Sequence, residues 1–152
     1  MPLEKYQAKR KFDKTTEPKG KVIKKNLSRF VIHKHQARNL HHDLRLEMEG
    51  VLKSWAVPKE PPAVFGIKRL AMEVEDHPID YINFHGLIPK GNYGAGKVEI
   101  WDKGNYKLIR KSPGEIEFEL FGKRLKGNYI LIKPKGSRFG PKAWLFFKLK
   151  ER

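Results

Sequence analysis

The stretch from residue 41 to residue 57 alternates polar and apolar residues with a period of two, broken once at Glu49-Gly50. In the first half His41, Asp43, Arg45 and Glu47 fall on one face, and His42, Leu44, Leu46 and Met48 on the other. Side chains alternate across a strand but recur every three to four residues on a helix, so this pattern requires a hairpin of two strands. Upstream, residues 30–35 form a further strand in which Val31, His33 and His35 share a face, with a short polar connection over residues 36–39. Downstream the same signals recur. Residues 69–77 alternate, a Gly-rich run leads into Val98, and Lys103-Gly104-Asn105 reads as a hairpin turn into residues 106–109. Residues 115–121, 127–133 and 143–150 read as three more strands, the first two separated by Gly122-Lys123-Arg124. Short strands at regular spacing with turn residues between them predict a mainly all-β fold, a barrel or a sandwich.

Charge constrains the partner. The chain has 152 residues, with 33 Lys and Arg against 17 Asp and Glu, a formal charge of +16. A surface of that sign attracts polyanions, and nucleic acid is the first to consider. There is no cysteine, which excludes a disulfide framework, a thiolate zinc site and a thiol nucleophile. No apolar run approaches the ~18 residues of a membrane span and no signal-type segment follows Met1, so a cytoplasmic protein with no membrane partner is expected. Residues 1–28 are Lys-rich and form a basic N-terminal arm; residues 29–152 form the folded domain. Tyr6 and Phe12 are the arm's aromatics and would pin it to the body, bringing Arg10 and Glu17 within reach of a site; a free, solvated tail is the other reading.

The face carrying His41 holds the chemistry. His35-x5-His41-x-Asp43 sets two imidazoles and a carboxylate beside the guanidinium of Arg45. Nitrogen and oxygen ligands of this kind suit a divalent transition metal, and a guanidinium suits a phosphate. On the strand over residues 69–77, Leu70, Met72 and Val74 are expected to face the core. Arg69, Ala71, Glu73, Glu75 and His77 then share the other face, either as plain solvent exposure or as a second wall of the same cleft. Gly91–Lys97 spells G-x-x-x-x-G-K. Val98 stands where a P-loop needs Ser or Thr, and a strand follows rather than a helix, so the run is read as a Gly-rich turn.

The blocks RKFDKTTEP, FVIHKHQARNLHHDLRLEMEGVLKSWAVPK, KRLAMEVEDHPIDY and IPKGNYGAGKVEIWDKGNY occur in this order over most of residues 10–108. They resemble the 3′-phosphoesterase domain of bacterial DNA ligase D and its stand-alone archaeal and bacterial relatives; the autonomous form, without a following polymerase or ligase module, is expected. The resemblance implies a compact β-barrel with minor short helices. It also implies a Mn²⁺-dependent enzyme, with Zn²⁺ or Co²⁺ as substitutes. Such an enzyme removes a 3′-terminal ribonucleotide as a phosphodiesterase and a 3′-phosphate as a phosphomonoesterase, leaving a 3′-OH. Its partners would be the 3′ ends of DNA or DNA/RNA primer-templates, and a separate ligase and polymerase of non-homologous end joining; a monomer is expected.

By the same resemblance His35, His41 and Asp43 are the metal ligands. His77 is an essential histidine acting with His41 and Asp43 in catalysis, Arg45, Lys59, Arg69 and Tyr81 bind the phosphate, and Glu75 supports the site. His77 is expected to titrate near neutrality and so to donate to a phosphate oxygen or protonate the leaving oxygen. Lys11 stands where the family has Asp before Phe, Glu60 replaces a Gly after Lys59, and His33 and His42 stand where Gln and Tyr are common. His42 lies on the face opposite His41 and is read as packing; His33 is read as a support to the ligands. Arg10 and Glu17 are the candidates for a 2′-OH contact, and the lysines of the arm and of residues 134–142 for salt-dependent affinity. The contrasting reading is a non-catalytic nucleic-acid end-binding module with a structural metal.

Overall fold

The computed structural model describes residues 2–12, 14–20 and 27–151. Nine strands follow one another: β1 (Arg29–Gln36), β2 (Leu40–Met48), β3 (Val51–Val57), β4 (Lys68–His77), β5 (Gly86–Ile88), β6 (Gly96–Ser112), β7 (Glu115–Phe121), β8 (Lys126–Ile132) and β9 (Ala143–Lys148). All pairings are antiparallel, in the order β1-β2-β3-β4-β9-β8-β7-β6-β5. A further pairing of β6 back to β1 closes eight of them into a barrel, with β5 as an added flap on β6. The expected barrel is therefore the fold, and closure removes all but the short β5 edge. Among the described residues, helix is confined to α1 (Glu4–Ala8) and a 3₁₀ turn at Ile79–Asn83. Among the described residues no helix is long and apolar enough to cross a membrane.

Glu49 and Gly50 both have positive φ, 56° and 81°. That is the geometry of a tight two-residue hairpin, and Gly50 supplies it without steric cost. The two faces of β2 separate as the alternation predicts. Leu44, Leu46 and Met48 join Phe30, Trp55 and Phe118 in the barrel core. A second cluster lies outside the barrel wall: Tyr6, Val31, Leu52, Tyr81, Phe84 and Val98 pack between β1, the 3₁₀ turn and α1. The arm residue Tyr6 is completely buried there, and its hydroxyl donates to the Pro18 carbonyl.

Two expectations change. Lys103-Gly104-Asn105 is no turn: β6 runs unbroken through it. A Cβ at Gly104 would collide with the Phe121 carbonyl, so glycine is needed there for close approach of two strands. The true chain reversal nearby is residues 122–125, where the buried Asp102 carboxylate accepts from the backbone N–H groups of Lys103, Lys123 and Leu125. The second change is on β4. Ala71, rather than Leu70, Met72 and Val74, lies fully in the core. In register Ser54 opposes Val74 while Leu52 opposes His77, so β4 carries one extra residue in between. This bulge inverts the parity of the strand. Arg69 and His77, expected on one face, are thereby sent to opposite faces.

Candidate metal and phosphate site

The site lies on the outer face of β1 and β2, in a cleft of ≈ 250 Å³ walled by the arm and by the loop before β6. His35 and His41 are direct register partners on adjacent strands, and Asp43 follows two residues on. Their candidate ligand atoms all lie within 4.8 Å of one another. Asp43 Oδ2 is 3.3 Å from His41 Nε2 and 3.7 Å from His35 Nδ1. Each imidazole is fixed by its other nitrogen. His35 Nε2 donates to the Gly94 carbonyl at 2.6 Å, and His41 Nδ1 to the Asn39 carbonyl at 3.0 Å. A carbonyl can only accept, so these nitrogens carry ring protons and leave His35 Nδ1 and His41 Nε2 facing Asp43, each donating to it when protonated and presenting a lone pair to a metal when not. This is how metal-ligating histidines are usually oriented. The donor set therefore fits a divalent ion with further positions open, unlike a closed four-ligand structural site.

Arg45 adjoins the triad. Its guanidinium donates through Nε to His33 Nδ1 at 3.2 Å and through Nη1 to Ser54 Oγ at 2.9 Å, and Nη2 lies 3.4 Å from Asp43 Oδ2. His33 completes the brace, its Nε2 donating to the Phe84 carbonyl at 3.0 Å. Burial, then the Arg45 charge, pushes His33 down to about 3, so it is neutral and its Nδ1 is free to accept. Asp43 is held well below the usual carboxylate range. Burial opposes this, but Arg45 and hydrogen bonds from His35 and His41 outweigh it.

The opposite wall comes from β4 and the arm. Arg10 Nε meets Glu17 at 3.0 Å, its Nη1 reaches the Tyr6 carbonyl at 3.1 Å and Glu75 at 3.5 Å, and its Nη2 faces His77 Nε2 at 3.3 Å. Tyr81 donates to Glu17 at 2.7 Å. His77 Nδ1 donates to the Glu75 carbonyl at 3.0 Å, leaving Nε2 as the acceptor from Arg10. Burial first, then Arg45 and Arg10, drive its pKa well below the imidazole value. The expectation of a histidine titrating near neutrality is thus corrected: in this cleft His77 is a neutral hydrogen-bonding ring.

The structure brings His35, His41, Asp43, Arg45, Glu75, His77 and Tyr81 together around one cleft, with Arg10. It does not bring Lys59 and Arg69 there. Lys59 is exposed past the end of β3. Arg69 donates to the Glu60 carbonyl at 2.8 Å and lines a separate depression with Trp101 and Arg124. His42 packs edge-on against Trp101. Tyr93 and Gly94 border the cleft too. Within the sequence they were hidden in the Gly-rich run, where only the tight turn was legible.

The closed antiparallel barrel thus carries on its outer wall a possible His-His-Asp metal site beside a buried arginine. Residues 33–133 match the family described as the DNA ligase D 3′-phosphoesterase domain, and the chain belongs to that family. It is 46% identical over 160 residues to the multifunctional non-homologous end joining protein LigD of Mycolicibacterium smegmatis, covering 97% of this chain and 20% of that protein. To the protein of the same name from Pseudomonas aeruginosa it is 43% identical over 158 residues, covering 99% of this chain and 19% of the other. A Mycobacterium tuberculosis relative, the multifunctional non-homologous end joining DNA repair protein LigD, is 44% identical over 156 residues, with shares of 99% and 20%. The chain thus spans about a fifth of the length of the relatives it matches.

Proposed function

We propose that this protein is a Mn²⁺-dependent phosphoesterase that heals 3′ ends in DNA repair of the end-joining type. It would remove a 3′-terminal ribonucleotide and then the remaining 3′-phosphate to leave a 3′-OH. The observation that carries the reading is the juxtaposition of the His35, His41 and Asp43 ligand atoms with the Arg45 guanidinium in one cleft. Family membership and the relatives' role in end joining support it. The three-ligand, open cluster favours it over a binding module with a structural metal.

Held by these three side chains, a divalent ion such as Mn²⁺, or Zn²⁺ or Co²⁺ in its place, supplies Lewis-acid chemistry to a phosphate oxygen and to water. The rest falls to the chain. Arg45 has five N–H groups, and the contacts above engage three, so its others face a phosphate oxygen as charge develops there. Arg10 sits opposite and supplies a second guanidinium. His77, deprived of its proton, accepts from Arg10 and thereby holds that guanidinium in place. Tyr81 and Glu75 anchor Arg10 and Glu17 and set the width of the cleft. Lys59 and Arg69 enter only as contacts with a substrate reaching beyond the cleft. The reading carries with it a cytoplasmic monomer acting beside a separate ligase and polymerase.

The test is a labelled primer-template ending in a 3′-ribonucleotide or a 3′-phosphate, incubated with Mn²⁺ or with EDTA. Conversion to a 3′-OH end with Mn²⁺ alone, abolished in Asp43→Ala, is the expected result. Absence of conversion, or equal conversion by a folded Asp43→Ala protein, overturns the proposal.

A further inference from the structure

The cleft does not end at the metal ligands. Val74, Glu75 and Tyr93 line both it and a second depression, whose other walls are Lys5, Lys9, Lys133 and Lys142 with Glu73. All four lysines are exposed. They come from three places in the chain: α1 and its C-terminal end, the residue after β8, and the residue before β9. The two carboxylates among them are already committed. Glu75 pairs with Lys9 at 3.0 Å and with Arg10, and Glu73 accepts from the Trp144 indole at 2.9 Å. The depression therefore carries net positive charge, four lysines against two carboxylates, and is joined directly to the cleft.

Tyr93 stands at the join. Its ring is 49% exposed, with Lys9 Nζ 4.7 Å and the Arg10 guanidinium 5.4 Å from the centroid. The Lys9 ammonium also reaches its hydroxyl at 3.3 Å. A half-open aromatic ring backed by cations, between a phosphate-directed cleft and a lysine-lined groove, is the arrangement that holds a single nucleic-acid strand. Bases stack on the ring and phosphates track the charge.

We infer that the strand carrying the 3′ end leaves the metal cleft across Tyr93, and that its next phosphates lie on Lys5, Lys9, Lys133 and Lys142. The inference rests on the phosphoesterase reading for the position of the 3′ end. It adds a direction: the terminal nucleotide sits over His35, His41 and Asp43, and the 5′ portion runs toward the groove between the arm and the loop before β9. An acidic protein segment would match the charge but has no use for an exposed ring at the mouth of the cleft.

The test is binding of a fluorescent primer with a 3′-OH end, which offers nothing to cleave, to the full chain in Mn²⁺. In Lys133→Ala/Lys142→Ala the slope of log affinity against log salt should fall by about 1.4, at ~0.7 per phosphate contact on a single strand. The control, Lys107→Ala/Lys126→Ala, removes two exposed lysines that line neither depression and should leave that slope near wild type. Tyr93→Ala should weaken binding by roughly fivefold or more while Tyr93→Trp retains it. Equal slopes for the two lysine pairs, or displacement of the primer by polyglutamate at matched charge, overturns the inference. The two readings fail separately. A protein that processes no 3′ end but whose Lys133 and Lys142 govern the slope loses the phosphoesterase reading and keeps the track. One that processes ends while the pair behaves as the control loses the track.

Discussion

The hydroxyl of Tyr81 donates to the carboxylate of Glu17 at 2.7 Å, tying the 3₁₀ turn beside the barrel to the N-terminal arm. Glu17 also takes the Arg10 guanidinium at 3.0 Å, and both side chains of that pair are almost fully enclosed, 5% and 0% exposed. Arg10 in turn lies against the Tyr6 ring, 3.9 Å from its centroid, and faces His77. The arm is thus built into the cleft wall, its internal Arg10–Glu17 pair held by Tyr81, Glu75 and His77 of the body.

Removing one partner of a buried pair leaves the other charge without compensation, which costs more than the pair ever contributed. Glu17→Ala leaves Arg10 with Glu75 at 3.5 Å as its remaining carboxylate. A loss of about 3 kcal/mol is expected, the lower end of the usual range for such deletions, read from urea unfolding. Glu17→Gln keeps the acceptor for Tyr81 and should lose less. A wild-type midpoint for Glu17→Ala would show that the arm is not energetically part of the domain.

Gly94 should behave as part of the metal site without contributing a ligand. Its φ is +73°, and a Cβ there would come 3.3 Å from His35 Cε1. Gly94→Ala therefore strains the turn and displaces the carbonyl that holds His35 Nε2. Partners of metal-ligating histidines typically account for roughly 10- to 100-fold in metal affinity. Titration of Mn²⁺ into Gly94→Ala, followed by calorimetry, should show a drop in that range while near-ultraviolet circular dichroism stays native. Unchanged affinity would mean that the Gly94 carbonyl does not set the ring.

Acid should loosen the barrel at the β1–β2 end. Glu47 is buried and takes Arg29 through Nε at 2.9 Å, Nη2 at 3.2 Å and the backbone N–H at 3.1 Å. Burial raises its pKa, but the Arg29 hydrogen bond and the backbone donors together pull it below the ordinary value of 4.5. A carboxylate depressed in the folded state contributes stability that is fully present above the unfolded pKa. That stability is lost as pH falls through the folded one. Thermal midpoints should therefore drop as pH is lowered below that ordinary value of 4.5, and Glu47→Gln should be less stable at pH 7 but less sensitive to this drop. Parallel curves for the two proteins would remove Glu47 from the acid response.

Much of this site can be read from period and spacing. His35, His41 and Asp43 share a face because alternation on β1 and β2 is strict, and the short connection over residues 37–39, which pairs Gln36 with Leu40, fixes their register. Tyr6 and Phe12 were legible as anchors because isolated aromatics in a lysine-rich segment need somewhere to go. What resists reading is any feature depending on an extra residue. The β4 bulge sends Arg69 to another depression, and no residue between Leu70 and His77 signals it. Gly104 looks like a turn residue because close strand approach and positive φ both select glycine, and only the neighbouring Phe121 carbonyl distinguishes them. The His77 pKa was misjudged for a related reason. Its value is set by burial and by two arginines, of which Arg10 arrives from far away in the chain.

His33 joins two buried groups that another side chain with one donor and one acceptor could also join. It is fully buried, and its two nitrogens join the Phe84 carbonyl to Arg45 Nε. His33→Ala leaves that Nε–H buried without its acceptor, a loss of about 1–3 kcal/mol. It also frees the guanidinium to swing from Asp43 and Ser54. Phosphate should then bind more weakly, and turnover of a 3′-phosphate should fall by more than the folded fraction explains. His33→Gln differs, because an amide oxygen accepts from Nε while its NH₂ can donate to the Phe84 carbonyl. The glutamine variant should therefore recover most of both the stability and the turnover. Were alanine and glutamine equally impaired, the imidazole would owe its place to shape and burial alone. Were both equally active, Arg45 would be held by Ser54 and Asp43 without it.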